Sequence, residues 1–116
     1  MHFKLIIAFV EDGVTEMVMK EARMAGATGA TIINHARGEG IKRQRTFFGM
    51  QLETQRDVLL FVVEEHLCRK ILERIACIAG FDTEPGKGIA IQIDIQDAVG
   101  VAHQVERLKG KIEEEL

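Results

Sequence analysis

Apolar residues fall along the chain in short runs separated by stretches at helical spacing. Phe3 to Val10 is continuous except for Lys4 and rich in Ile and Val, which predicts a central strand buried on both faces. Val14, Met17, Val18, Ala22 and Ala25 then recur on one helical face, with Asp12 or Thr15 near the start and Gly26 and Gly29 as stops. The β-branched segment from Ala30 (ATIINHA) predicts a second strand. Asp57 to Glu64 predicts a third, placed mid-sheet by its near-absence of polar residues. Leu67, Ile71, Leu72, Ile75, Ala76 and Ala79 predict a second helix that Gly80 ends in a left-handed turn, with Pro85 beyond. From Gly88 to Ile95 the chain alternates, with Ile89, Ile91, Ile93 and Ile95 on one side and Ala90, Gln92 and Asp94 on the other. That is a half-exposed strand.

The order βαββαβ is the split-βαβ or ferredoxin-like pattern of the α+β class: a four-stranded antiparallel sheet with both helices on one face and a long loop between strands two and three. The other face of such a sheet is solvated or buried in assembly, and the apolar second and third strands favour assembly. Val101, Val105, Leu108 and Ile112 form a narrow apolar stripe on a charged tail, weakened by Gly110 by about 1 kcal/mol relative to Ala. This predicts one domain over residues 1–100 and a helical tail over 101–116 that packs on a neighbouring element.

Residues 36–57 lack any core-forming period, and loops of that length are uncommon in compact domains unless they carry function or are disordered. From Arg37 to Arg56 five basic residues, Arg37, Lys42, Arg43, Arg45 and Arg56, stand against Glu39 and Glu53, inside a chain of formal net charge −3. Within it, Phe47, Phe48, Met50 and Leu52 surround Gly49. Two readings stay open: a β-hairpin arm packed on a neighbouring subunit with Gly49 at its bend, or a mobile arm presenting Phe47 and Phe48, flanked by Lys42, Arg43 and Arg45, to a target protein.

The composition changes this picture mainly by exclusion. A sequence pI of about 5.8 and the acidic remainder outside the loop argue against general nucleic-acid binding. No apolar run reaches the roughly 18–20 residues of a membrane span, and the N-terminal stretch has no small-residue cleavage site, so the expected location is the cytoplasm. Cys68 and Cys77, nine residues apart, lie on opposite sides of the predicted helix and suit reduced structural thiols. Serine is absent, and neither cysteine has a histidine at a recognisable catalytic spacing. His2, His35, His66 and His103 form no zinc-binding motif. An enzyme is therefore not expected.

Two glycine segments remain, at Arg37–Gly40 (RGEG) and Glu84–Gly88 (EPGKG). Glycines let backbone amides approach an anion closely, with Arg37 or Lys87 supplying countercharge. Both sit at strand ends that can approach each other across a subunit boundary, where small-molecule clefts are common. The expectation is a positively charged notch made by two glycine turns from separate protomers.

Four segments, Gly26–Ile33 (GATGATII), the loop 37–56, Arg56–Val63 (RDVLLFVV) and Gly86–Ile91 (GKGIAI), stand in an order and spacing that resembles the PII signal-transduction family over residues 3–100. The resemblance implies a homotrimer of ferredoxin-like subunits with adenine nucleotides, AMP, ADP or ATP, in the intersubunit clefts. It also implies that the loop at 37–56, the T-loop, controls a partner such as a membrane transporter or a metabolic enzyme, in nitrogen regulation. By position, Arg37, Gly38 and Gly40 match the T-loop base, and Arg56 stands where PII has a lysine contacting phosphate or 2-oxoglutarate. Gly86, Lys87, Gly88 and Ile89 match the phosphate-cradling B-loop, within a turn over 82–88.

The departures are specific. Ile89 stands in place of the B-loop lysine that follows the second glycine, and Gly100 and Ala102 in place of the paired C-terminal arginines. The modified T-loop tyrosine is missing, and Gln44 is misplaced for the glutamine that helps bind Mg-ATP and 2-oxoglutarate. Each lost cation removes a charge-assisted hydrogen bond of about 1.5–3 kcal/mol, so AMP or ADP is expected over ATP with 2-oxoglutarate. The competing reading on the same architecture is a CutA-like or metal-responsive trimer with His35, His103 or Cys77 as ligands.

Overall fold

The computed structural model describes residues 1–37, 46–47, 50–51 and 55–115, with backbone alone at 46–47, 50–51, 104 and 110–115. Strand β1 (Phe3–Glu11) runs through a 3₁₀ turn at Asp12–Val14 into helix α1 (Thr15–Ala25), followed by β2 (Thr31–Arg37). Two short strands, β3 (Thr46–Phe47) and β4 (Met50–Gln51), precede β5 (Gln55–Glu64), helix α2 (Glu65–Ala79), β6 (Gly88–Asp94) and helix α3 (Ala102–Glu115). The main sheet is four-stranded in the order β2-β5-β1-β6 with every pair antiparallel. This is the expected ferredoxin-like arrangement, with β5 between β2 and β1.

The helix stops follow glycine chemistry. Gly26 closes α1 with φ 128°, its amide donating to the carbonyls of Ala22 and Arg23, and Gly80 closes α2 in the left-handed region with φ 71°. Neither residue expected to cap α1 does so, because the 3₁₀ turn puts Val14 at the cap. Thr15 instead donates from Oγ1 to the buried Asp57 carboxylate at 2.6 Å, tying the start of α1 to β5.

The core is one cluster. Ile6, Ala8 and Val10 of β1 and Leu59, Phe61 and Val63 of β5 pack with Val18 and Ala22 of α1 and Leu67, Ile71 and Ile75 of α2. Burial in β1 alternates, so the expectation that it is covered on both faces is corrected: Leu5, Ile7 and Phe9 are only half-buried. In β6 the alternation runs opposite to simple amphipathic logic. Ala90 packs on the core and Gln92 accepts from Cys68 Sγ, while Ile89, Ile91 and Ile93 are 57%, 40% and 45% exposed. With half-buried Val58, Leu60 and Val62 and exposed Ile33, they make the sheet's second face aliphatic. Leu108 anchors α3 in the core cluster, with Val101 and Val105 packed against it, so the tail's neighbour is its own domain.

At the β5–α2 junction the buried Glu64 carboxylate caps the helix, accepting from the His66 amide at 2.7 Å and lying 2.6 Å from His66 Nδ1. That contact raises the His66 pKa above its ordinary value of 6.5. A histidine raised on folding stabilises the fold fully below the unfolded value and loses that contribution as pH rises through the folded one. We therefore expect His66→Gln to lower the urea midpoint most below about pH 6.5, with the difference from the parent shrinking at higher pH.

Candidate functional site

Strand register assembles the site. Arg56 of β5 lies opposite both Ala36 of β2 and Glu11 of β1, and Val10 lies opposite Gly88 at the start of β6. One cross-strand row at the end of the sheet therefore carries Ala36, Arg56 and Glu11 toward the turn that ends in Lys87. Arg56, only 9% exposed, reaches across that row and donates from its guanidinium to the carbonyls of Gly86 and of Lys87, the latter at 2.9 Å. A guanidinium with so little water is kept charged only where fixed acceptors replace hydration. Two backbone carbonyls of the glycine turn supply that role here.

The turn itself is held at its start and at its end. Thr83 donates from its amide and its hydroxyl to the Gly80 carbonyl, at 3.3 and 3.1 Å, and Gly86 sits at φ 79° in the left-handed region. Gly88 has φ 144°, and a Cβ there would meet the Phe9 carbonyl oxygen at 2.1 Å and Phe81 Cε1 at 2.7 Å. Only glycine lets the chain pass so close to β1.

Lys87 lies 3.6 Å from Glu11 Oε2 and 3.4 Å from Glu84 Oε2. Glu11 first and Glu84 second raise its pKa above 10.5. Within the single chain Lys87 is met by two carboxylates and Arg56 by two carbonyls, while Gly38 and Gly40 of the other turn that the expected notch needs lie outside the described residues. Sequence reading missed Glu11 and Glu84 because their relation to Lys87 depends on register and on the turn's path. Behind the turn a cleft of about 530 Å³ opens between α2 and β6, lined by Leu72, Ala76, Phe81, Gly88, Ile89 and Ala90. It shares Gly88 and Ile89 with the candidate site.

Of the remaining candidates, Arg37 ends β2 opposite Gln55, exposed and one register step from Arg56. Gly38, Gly40, Lys42, Arg43, Arg45, Phe48 and Gly49 lie outside the described residues. Thr46 pairs with Gln51 and Phe47 with Met50 along the backbone, a pairing common to a hairpin, while the packing of this arm on a neighbouring subunit and the bend at Gly49 lie outside the described residues. His35 has φ 67° in a bulge of β2 between Ile33 and Ala36. Neither it, His103 nor Cys77 joins a group of three candidate metal ligands among the described residues; Glu64, Glu65 and His66 do, at the α2 cap already described. One further group escaped sequence reading: Thr28 Oγ1, in the α1–β2 connection, is buried without a hydrogen-bond partner among the described residues.

The comparisons with known proteins bear on the family and the fold. The family model "Nitrogen regulatory protein P-II" matches residues 3–104. No curated protein matches the chain. Among solved structures, CPII from Thiomonas intermedia K12, a nitrogen regulatory PII-like protein bound to ADP, AMP and bicarbonate, is 20% identical with a TM-score of 0.66, over 84% of this chain and 94% of that one. CPII with ADP, AMP and acetate is 22% identical with a TM-score of 0.66, over 86% and 92%. A putative PII-like signaling protein from Thermus thermophilus is 26% identical with a TM-score of 0.60, over 81% and 87%.

The turn geometry sets a direct test of the backbone requirement. Gly88→Ala is expected to lose at least about 2 kcal/mol in urea unfolding. Gly29→Ala, with nothing within 4 Å of its added methyl, should stay within about 0.5 kcal/mol of the parent.

Proposed function

The chain belongs to the nitrogen regulatory protein P-II family, and we propose that it is a non-enzymatic, cytoplasmic PII-like sensor, working as a homotrimer with an adenine nucleotide, AMP or ADP, in each intersubunit cleft. The observation that carries this reading is the glycine turn 84–88 held by Arg56 at the foot of the long loop. A ligand that grips the turn acts on the residue where β5 leaves that loop. Arg37, Gly38 and Gly40 from the loop base and Gly86, Lys87, Gly88 and Ile89 from the turn would line the ligand, and the ADP and AMP bound by CPII support an adenine nucleotide there.

Assembly is supported by the aliphatic sheet face that α1 and α2 leave uncovered. Burying it returns roughly 25 cal/mol for each Å² of apolar surface. The lone Thr28 hydroxyl fits the same reading, since a buried donor without a partner costs about 1–3 kcal/mol and a neighbouring subunit or ligand would supply one. The arm at 42–52, with Lys42, Arg43, Arg45, Phe47 and Phe48, would then engage a transporter or metabolic enzyme in nitrogen regulation. Ligand binding shifts such an arm only by its differential affinity for the arm's states.

Native mass spectrometry reads both halves of the proposal at once. The expected result is a trimer that takes up to three AMP or ADP, takes ATP less readily, and loses nucleotide on Arg56→Ala. A monomer, or a trimer silent to AMP, ADP, ATP, cyclic AMP and bicarbonate, would contradict it.

A further inference from the structure

We propose that Glu84 is a built-in competitor for Lys87, so that the candidate site ranks phosphate ligands by their charge; this rests on the nucleotide-cleft reading above. Lys87 is the cation that the turn offers a phosphate, because Arg56 is turned toward the Gly86 and Lys87 carbonyls and Ile89 carries no charge. Lys87 is already shared between Glu84 at 3.4 Å and Glu11 at 3.6 Å. The two carboxylates differ in freedom. Glu11 ends β1 within the strand ladder and its side chain is 31% exposed, whereas Glu84 stands on the turn with its side chain 65% exposed.

Exposed pairs of this kind are weak and exchange readily. A ligand phosphate can therefore take Glu84's place on the ammonium. The displaced carboxylate nevertheless stays on the same turn, inside the Debye length of about 8 Å at physiological salt. Arg56 and Lys87 together only balance Glu11 and Glu84. Because the displaced carboxylate still counts in that balance, a monophosphate adds about −1.5 to −2 to it, and each further phosphate of a di- or triphosphate adds more negative charge that these residues do not offset. Glu84 thus acts as a specificity residue without being a ligand contact.

The test is isothermal titration of the full chain at low ionic strength with AMP, ATP, orthophosphate and tripolyphosphate. The proteins are the parent, Glu84→Gln, Lys87→Gln and the double variant. Glu84→Gln keeps side-chain size at an exposed position. It is expected to tighten ATP and tripolyphosphate by about fivefold and AMP and orthophosphate by about twofold or less. The gain should shrink in the Lys87→Gln background, as coupling through one shared partner requires. An equal gain for all ligands, no gain, or a gain undiminished without Lys87 overturns the competitor; if the parent still binds AMP, the nucleotide reading survives. Selective, Lys87-dependent tightening of tripolyphosphate with no binding of any adenine nucleotide keeps the competitor and removes the nucleotide. Silence of every probe with every variant overturns both.

Discussion

The Arg56 guanidinium is bound to the turn it faces by two carbonyls, and the arrangement of this end of the molecule follows from that constraint. A nearly buried cation must be solvated by the protein. Here the acceptors are the Gly86 and Lys87 carbonyls, which fixes the turn's height above the sheet. With the turn at that height, Gly88 has to pass the Phe9 carbonyl at a distance that excludes any side chain. Lys87 in turn falls beside Glu11, whose place is set by the β1 ladder.

The position of Arg56 in the chain links this turn to the long loop. It is the second residue of β5 and pairs across the sheet with Ala36, the last residue but one of β2. The strands that leave and re-enter the main sheet around the loop are therefore joined at the residue that holds the turn. Charge is a separate matter from backbone position. The row Arg56, Glu11, Lys87 and Glu84 alternates in sign and is balanced before any ligand arrives. The glycine turn is thus held by backbone shape and by the pairing of Arg56 and Lys87 with groups of the same chain.

Much of this was legible in the residues. Continuous apolar runs marked β1 and β5, β-branched residues β2, alternation β6 and the 3.6 period α1 and α2, and Gly26 and Gly80 marked the helix ends because each needs a backbone that other residues rarely adopt. The turn at 84–88 and Arg56 could be singled out, and a hairpin around Gly49 was one of the two readings the loop allowed. What could not be read was pairing across the sheet. Glu11 sits 76 positions before Lys87 in sequence, and only the β1–β6 register brings them together. Similarly, the alternation in β6 did not say which side meets the helices: Ala90 packs on the core and Gln92 accepts from Cys68 of α2, and Ile89, Ile91 and Ile93 are left on the face that suits assembly. The capping of α1 misled for a local reason, since the 3₁₀ turn displaced the helix start and freed Thr15 for Asp57.

The central claim is that Arg56 fastens the glycine turn and the foot of the loop into one unit. Amide hydrogen exchange, followed residue by residue by NMR in the parent and in Arg56→Met, tests it most directly. The account predicts that amides at 55–57 and 86–88 exchange faster together, by about tenfold or more, while Ile6, Leu59 and Phe61 keep their protection. Unchanged exchange at 86–88, or an equal rise across those core strands, would contradict it.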